Sequence, residues 1–247
     1  MNLALAQYNQ GNESNIEEIE HSVVVVKNQL DLLHRIFHTF NSHLYYHGTP
    51  IEQLQTLNRA AEFVQQTKEL ETRFMNIVKR LKLAFDICSG SESISETEKD
   101  EIHFYLAVRS IIYKLTKGTA PDASQMNEKV KTMIQEAIES EGVEEIFKLG
   151  EDEAQEIDLF SDDYLAKLDK IKLPNTKFKL LQKVLKQAID RMKQVNKVMG
   201  IDFSKRLEAI VQKYNERKEG DVLRSEVLED FTNEIIELYY ALKKEND

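Results

Sequence analysis

The chain has 247 residues, 41% of them hydrophobic and 31% charged, enough for a sizeable core and too apolar for a disordered chain. Three prolines and eight glycines exclude a β-sandwich or a run of tight hairpins, which need turn residues every ~8–12 positions. The net charge of −10 is uneven, with −10 over residues 128–163 and +9 over residues 164–219, so the overall acidity that discourages nucleic acid is locally reversed.

The first expected helix runs from about Asn15 to Phe40. Ile16, Ile19, Val23, Val26, Leu30, Leu33, Phe37 and Phe40 alternate steps of three and four, the period of an apolar seam. That rhythm outvotes the strand-like run of valines at 23–26. Ser14 and Glu17 have the spacing of a capping box at its start. Residues 40–48 connect to a second helix, where Thr49, Pro50 and Glu52 read as N-cap, N1 and N3. This helix is expected to reach about Ile87, with a break near Asn58. The serine-rich stretch 88–98 is the most linker-like of the chain, and Ser95 with Glu98 caps a helix through Lys117. Further helices are expected over about 125–140, 161–171, from Asn175, from Ser204 to about Lys218, and from about Asp221. The fold class is therefore all-α, a bundle-like domain of roughly eight to ten helices. Residues 14–247 form the domain, with 88–95 as the place where it would subdivide.

Four of the six histidines, His34, His38, His43 and His47, form two i,i+4 pairs, the spacing with which one helix holds a metal. His34 and His38 fall off the apolar seam, and no paired cysteines or HExxH motif accompany them. Partly exposed histidines at a helix end are the favoured reading, and no metal is assigned. The string DEAQ at 152–155 resembles a helicase acidic box, but it follows no apolar strand and no phosphate-binding Gly-rich loop exists in the chain. Glu216-Arg217-Lys218 has the letters of a nuclease E-x-K but lies in a helical pattern. No catalytic residue and no cofactor-binding residue is assigned to this segment. In the basic block, Lys183, Lys186, Arg191 and Lys193 are the candidate DNA contacts. The alternative is that the basic block answers the acidic block upstream, within the fold or across an interface, and it is favoured.

Single Cys88 precludes an internal disulfide and fits a reducing compartment. No apolar run reaches the ~18–20 residues that span a membrane, and the N-terminus lacks the pattern of a signal peptide. A cytoplasmic protein without membrane contact is expected.

Residues 36–54, IFHTFNSHLYYHGTPIEQL, resemble the C-terminal helical region of the R subunit (the motor and restriction subunit) of type I restriction–modification enzymes. That family has a Phe-His-Gly-Phe turn, matched by Phe37, His38 and Phe40 with Thr39 in place of glycine. Its Gly-Ser-Pro-x-Glu-x-Leu helix start is matched by Gly48, Pro50, Glu52 and Leu54, with Thr49 in place of serine. The likeness continues in order through 104–118, 139–147, 158–168, 175–189 and 202–217, so it covers nearly the whole chain. The resemblance implies a C-terminal assembly module that docks the motor subunit onto the methyltransferase and specificity subunits, or onto the motor lobes. Phe37, His38, Phe40, Gly48 and Pro50 are then the candidate docking turn. Residues 1–13 would be the tail of a preceding motor domain or a disordered lead. ATP and Mg²⁺ would serve the parent complex, a type I site-specific deoxyribonuclease with an ATP-driven motor. The alternative is a DNA-contacting helical domain that uses the 164–219 block during translocation.

Overall fold

Helix α1 (Asn2–Ile36) is longer than its seam predicts. The helix does not start at Ser14 but runs through it, because Leu3, Ala4, Leu5, Ala6 and Gln7 are all strong helix formers. It stops at Ile36, and Phe37–Thr39 form a turn in which the Phe40 amide donates to the Phe37 carbonyl at 2.8 Å. The structure is a computed structural model that describes residues 2–117, 166, 171–218 and 225–246. The helices expected over about 125–140 and 161–171, the acidic block and the DEAQ string fall almost wholly outside the described residues.

A one-turn helix α2 (His43–His47) sits in the predicted connection, and α3 (Pro50–Val64) follows. The predicted cap of α3 is formed. Thr49 Oγ1 accepts from the Glu52 amide, and the Glu52 carboxylate accepts from the Thr49 amide at 2.8 Å. These bonds hold the Glu52 carboxyl below its ordinary pKa. Gly48 is required by close approach, since a Cβ there would strike the Leu44 carbonyl oxygen and lie 2.9 Å from Glu52 Cβ.

The break in the next helical stretch lies at residues 65–67 rather than near Asn58, which is buried inside α3. Thr67 is the reason: its side chain accepts from the Leu70 amide at 3.1 Å and starts α4 (Lys68–Cys88). Helix α5 (Glu96–Lys117) begins at the predicted Ser95–Glu98 box, with the Ser95 amide donating to Glu98 Oε2 at 2.8 Å. After the undescribed segment come α6 (Pro174–Val195), α7 (Lys197–Glu216) and α8 (Ser225–Asn246). Helix α7 is capped by Asn196, whose Oδ1 accepts from the Met199 amide at 3.2 Å, so the expected start at Ser204 is an interior position. No strand occurs among the described residues, and the all-α expectation holds.

Helices α1 to α5 form one packed group and α6 to α8 a second. They join where α6 lies against α5 and α3. Helix α6 therefore buries a wide face, with Phe178, Leu181, Leu185, Ala188 and Met192 on one stripe at helical spacing and Leu180, Val184 and Ile189 beside it. Helices α1 and α4 pack antiparallel, with Phe37 beside Phe74 at 5.8 Å between ring centroids. At equal rise per residue, Cys88 at the end of α4 then falls opposite about Val23. Ser22 is accordingly buried, and residues 15–21 are all exposed. The exposed residues 15–21 thus extend about 10 Å beyond the end of α4.

Candidate functional site

The candidate docking turn divides between core and surface. Phe37 is 7% exposed, with five aromatic rings around it: Phe40, Phe63, Phe74, Phe104 and Tyr105, at 5.3 to 5.8 Å between centroids. Phe40 is half-buried against Phe63 and Phe104, and Pro50 and Gly48 are half-buried where α3 begins. His38 is the exposed member, its Nδ1 3.0 Å from the Arg35 carbonyl oxygen. The other histidines of the run do not converge on it. His34 meets Glu101 at 2.8 Å, and the rings of His43 and His47 lie 4.7 Å apart at the exposed surface of α2. Among the described residues no three His, Cys, Asp or Glu side chains are grouped to hold a metal ion. Cys88 is buried and donates to the Ala84 carbonyl at 3.2 Å, and burial pushes its thiol pKa up, away from a reactive thiolate.

A groove of about 790 Å³ runs between α4, α5 and α6, bounded at one end by α7. Its described lining carries six cationic side chains, Lys68, Lys79, Arg109, Lys179, Lys183 and Lys186, against two carboxylates, Glu71 and Asp190. Two of the six form the floor: Arg109 is 6% exposed and Lys179 likewise 6%. Desolvation lowers the Lys179 pKa, a pull that the Glu71 carboxylate at 3.7 Å opposes. The rim is more accessible, with Lys79 and Lys186 exposed. Of the four candidate DNA contacts, Lys183 and Lys186 line this groove, Lys183 donating to the Lys114 carbonyl at 3.5 Å. Lys193 pairs with Asp190 at 3.1 Å and lines a neighbouring cleft of about 610 Å³ between α6 and α7. Arg191 is exposed and lines neither. Three of the groove's cations, Lys68, Lys79 and Arg109, come from α4 and α5, outside the basic block, which is why the block alone did not disclose it.

Sequence reasoning missed the network that sets the angle of α6. Pro174 starts this helix with Leu173 at the N-cap, a residue that offers no capping side chain. The cap arrives from α3. One oxygen of Glu62 accepts from the amide and side-chain nitrogens of Asn175 at 2.7 and 2.8 Å. Its other oxygen accepts from the amide and hydroxyl of Thr176, both at 2.9 Å. Asn175 Oδ1 in turn accepts from the Tyr214 hydroxyl and from the Arg217 guanidinium, each at 2.6 Å. Arg217, only 6% exposed, also donates to the Gln65 carbonyl at 2.6 Å and lies 3.5 Å from the centroid of the Tyr214 ring. Phe178 stacks on the same ring at 3.8 Å. The E-x-K letters at 216–218 thus contain a buried structural arginine. The one local clue was a helix start at Pro174 without a capping residue before it.

No helix among the described residues is long and apolar enough to cross a membrane. The family described as type I restriction enzyme HindI endonuclease subunit-like, C-terminal, matches residues 9–247. The type I restriction enzyme HindI endonuclease subunit of Haemophilus influenzae is 26% identical over 152 residues, 61% of this chain and 14% of that protein. A protein of Methanocaldococcus jannaschii, provisionally named a type I restriction enzyme MjaIXP endonuclease subunit, is 23% identical over 136 residues, 55% of this chain and 13% of that one. The matched part is thus about one-seventh of either relative's length. No solved structure is significantly similar to the chain. A match over all but the first eight residues places the fold just described in a family, and the chain belongs to the type I restriction enzyme HindI endonuclease subunit-like C-terminal family.

Proposed function

We propose that the chain is the C-terminal helical assembly module of a type I restriction endonuclease R subunit and docks that subunit onto the methyltransferase and specificity core. The observation that carries this reading is a stretch of the α1 seam that is exposed among the described residues. Ile16 (56% exposed) and Ile19 (37%) continue the register of buried Val23, Val26, Leu30 and Leu33, beyond the point where α4 ends. An apolar helical stripe that outruns its own core is a groove-filling element for another protein. The relatives are named subunits, so proteins of this family work within an assembly. Of Phe37, His38, Phe40, Gly48 and Pro50, the exposed His38 would reach the partner, and the others hold the corner in shape.

The test is capture of the cognate methyltransferase–specificity complex by the chain. Ile16→Asp with Ile19→Asp is expected to weaken capture at least tenfold with unchanged circular dichroism, since both side chains are outside the core. Wild-type capture by this variant, or by a full subunit lacking the whole region, overturns the reading. So does a sedimentation result in which the stripe pairs two copies of this chain.

A second reading, DNA contact during translocation, is supported by the joining of Lys183 and Lys186 to Lys79 and Arg109 in one groove. It predicts a salt-dependent mobility shift of DNA by the chain, weakened by Lys183→Ala, Lys186→Ala and Lys193→Ala together. Absence of a shift at low salt removes it.

A further inference from the structure

We infer that the groove between α4, α5 and α6 takes the phosphate-ester backbone of a single nucleic-acid strand, with Lys79 and Lys186 as rim contacts. This deepens the DNA-contact reading and rests on it, while being independent of docking. The dimensions decide the form of the ligand. Helices α4 and α6 each pack on α5, which lies between them, so the slot is about one helix wide, roughly 10–12 Å, and a duplex, whose phosphates would need a broad basic surface, does not enter it. A volume of about 790 Å³ is of the size that encloses a ligand rather than one that supports a rod.

The lining matches what an unpaired strand requires. Cations stand on two opposed walls, Lys68 and Lys79 on α4 and Lys183 and Lys186 on α6, so a chain of phosphates is gripped from both sides. Between them the Tyr113 ring lies in the α5 wall, with the Arg109 guanidinium 4.8 Å from its centroid, a planar pair of the kind on which bases stack. Neutral amides at Asn76, Gln182 and Gln187 add donors and acceptors without sequence-specific demands. Lys68 and Lys179 share the carboxylate of Glu71, at 2.7 and 3.7 Å, so among the described residues one negative charge faces two positive ones there. An anion entering the slot completes that balance.

The experiment uses the whole 247-residue chain and fluorescence anisotropy with a labelled single-stranded 12-mer at low salt, competed by the matching duplex and by tripolyphosphate. The expected result is displacement by unlabelled strand at least tenfold below the concentration at which duplex or tripolyphosphate displaces. Lys79→Ala with Lys186→Ala should weaken binding at least tenfold and reduce the salt slope by about 1.4, roughly 0.7 for each lost phosphate contact. Lys197→Ala with Lys205→Ala, exposed and off the groove, should change binding less than threefold. If duplex binds as tightly as the strand and both depend on Lys79 and Lys186, DNA contact stands and the single-strand inference falls. Equal displacement by tripolyphosphate also overturns it, leaving a simple anion slot. Equal losses for the off-groove pair overturn it in favour of diffuse charge. If neither strand nor duplex binds, the inference falls together with the DNA-contact reading.

Discussion

Arg217→Ala is expected to lower the stability of the chain by about 3–5 kcal/mol, the range in which removal of one member of a buried, hydrogen-bonded charge network falls. The guanidinium bridges three segments distant in sequence: the Gln65 carbonyl after α3, Asn175 at the start of α6, and the Tyr214 carbonyl and ring in α7. Charge-assisted bonds contribute about 1.5–3 kcal/mol each and a desolvated cation–π contact about 2, and these do not add in full because one side chain makes them all. A melting temperature lower by about 6–20 °C follows for a domain of this size. Arg217→Lys should recover less than half of the loss, because an ammonium cannot direct separate N–H groups to Gln65 and Asn175 while covering a ring. Urea titrations of the three proteins check this, and a loss below about 1 kcal/mol for the alanine variant shows that the network is not holding the two helix groups together. A cycle with Asn175→Ala isolates the shared bond, and a coupling of about 0.5–3 kcal/mol is expected if the 2.6 Å contact is energetically real. Because Glu62 caps α6 through the same asparagine, the network also sets where Lys183 and Lys186 stand relative to α4.

What could be read from the sequence divides by the range of the interaction. Capping boxes at Thr49–Glu52 and Ser95–Glu98 depend on residues three apart, and both form where the letters place them. Apolar stripes are equally local, and Leu228, Ile235, Leu238 and Leu242 of α8 are buried as their spacing demands. Errors arose where two local rules competed. Ser14 and Glu17 offer a box, but the helix formers upstream carry α1 through it. Thr67 starts α4 without a Glu or Gln three residues on, so its cap was missed. The α6 cap lay beyond any local rule, since Glu62 is 113 residues from Asn175. The groove was half-legible for the same reason. Its α6 wall stands out as a run of lysines, whereas Lys68, Lys79 and Arg109 join it only when α4 and α5 are brought alongside. In the histidine run, i,i+4 spacing is necessary for a shared metal and not sufficient. Here one histidine reaches across to Glu101 and another turns back to its own helix.

Phe37→Ala should be the other costly substitution, at about 3–5 kcal/mol, and it separates the two roles assigned to the turn. The ring is 7% exposed and surrounded by five aromatic neighbours, among them Phe63 of α3, Phe74 of α4 and Phe104 of α5. Truncation at the point where three helices meet leaves a cavity that no single neighbour can fill, so the loss belongs at the high end of the large-to-small series. His38→Ala, one residue on, removes an exposed ring and should change stability by no more than about 0.5 kcal/mol. The pair makes opposite demands on a docking assay. If the turn itself touches a partner, His38→Ala weakens capture of the methyltransferase–specificity complex at unchanged melting temperature. If it serves only as a corner, His38→Ala is silent, and Phe37→Ala loses capture only in step with unfolding. Thermal melts run beside the capture assay tell these apart. A Phe37→Ala protein that melts within about 2 °C of wild type would mean that the aromatic cluster at the corner is not where α1, α3, α4 and α5 are held together.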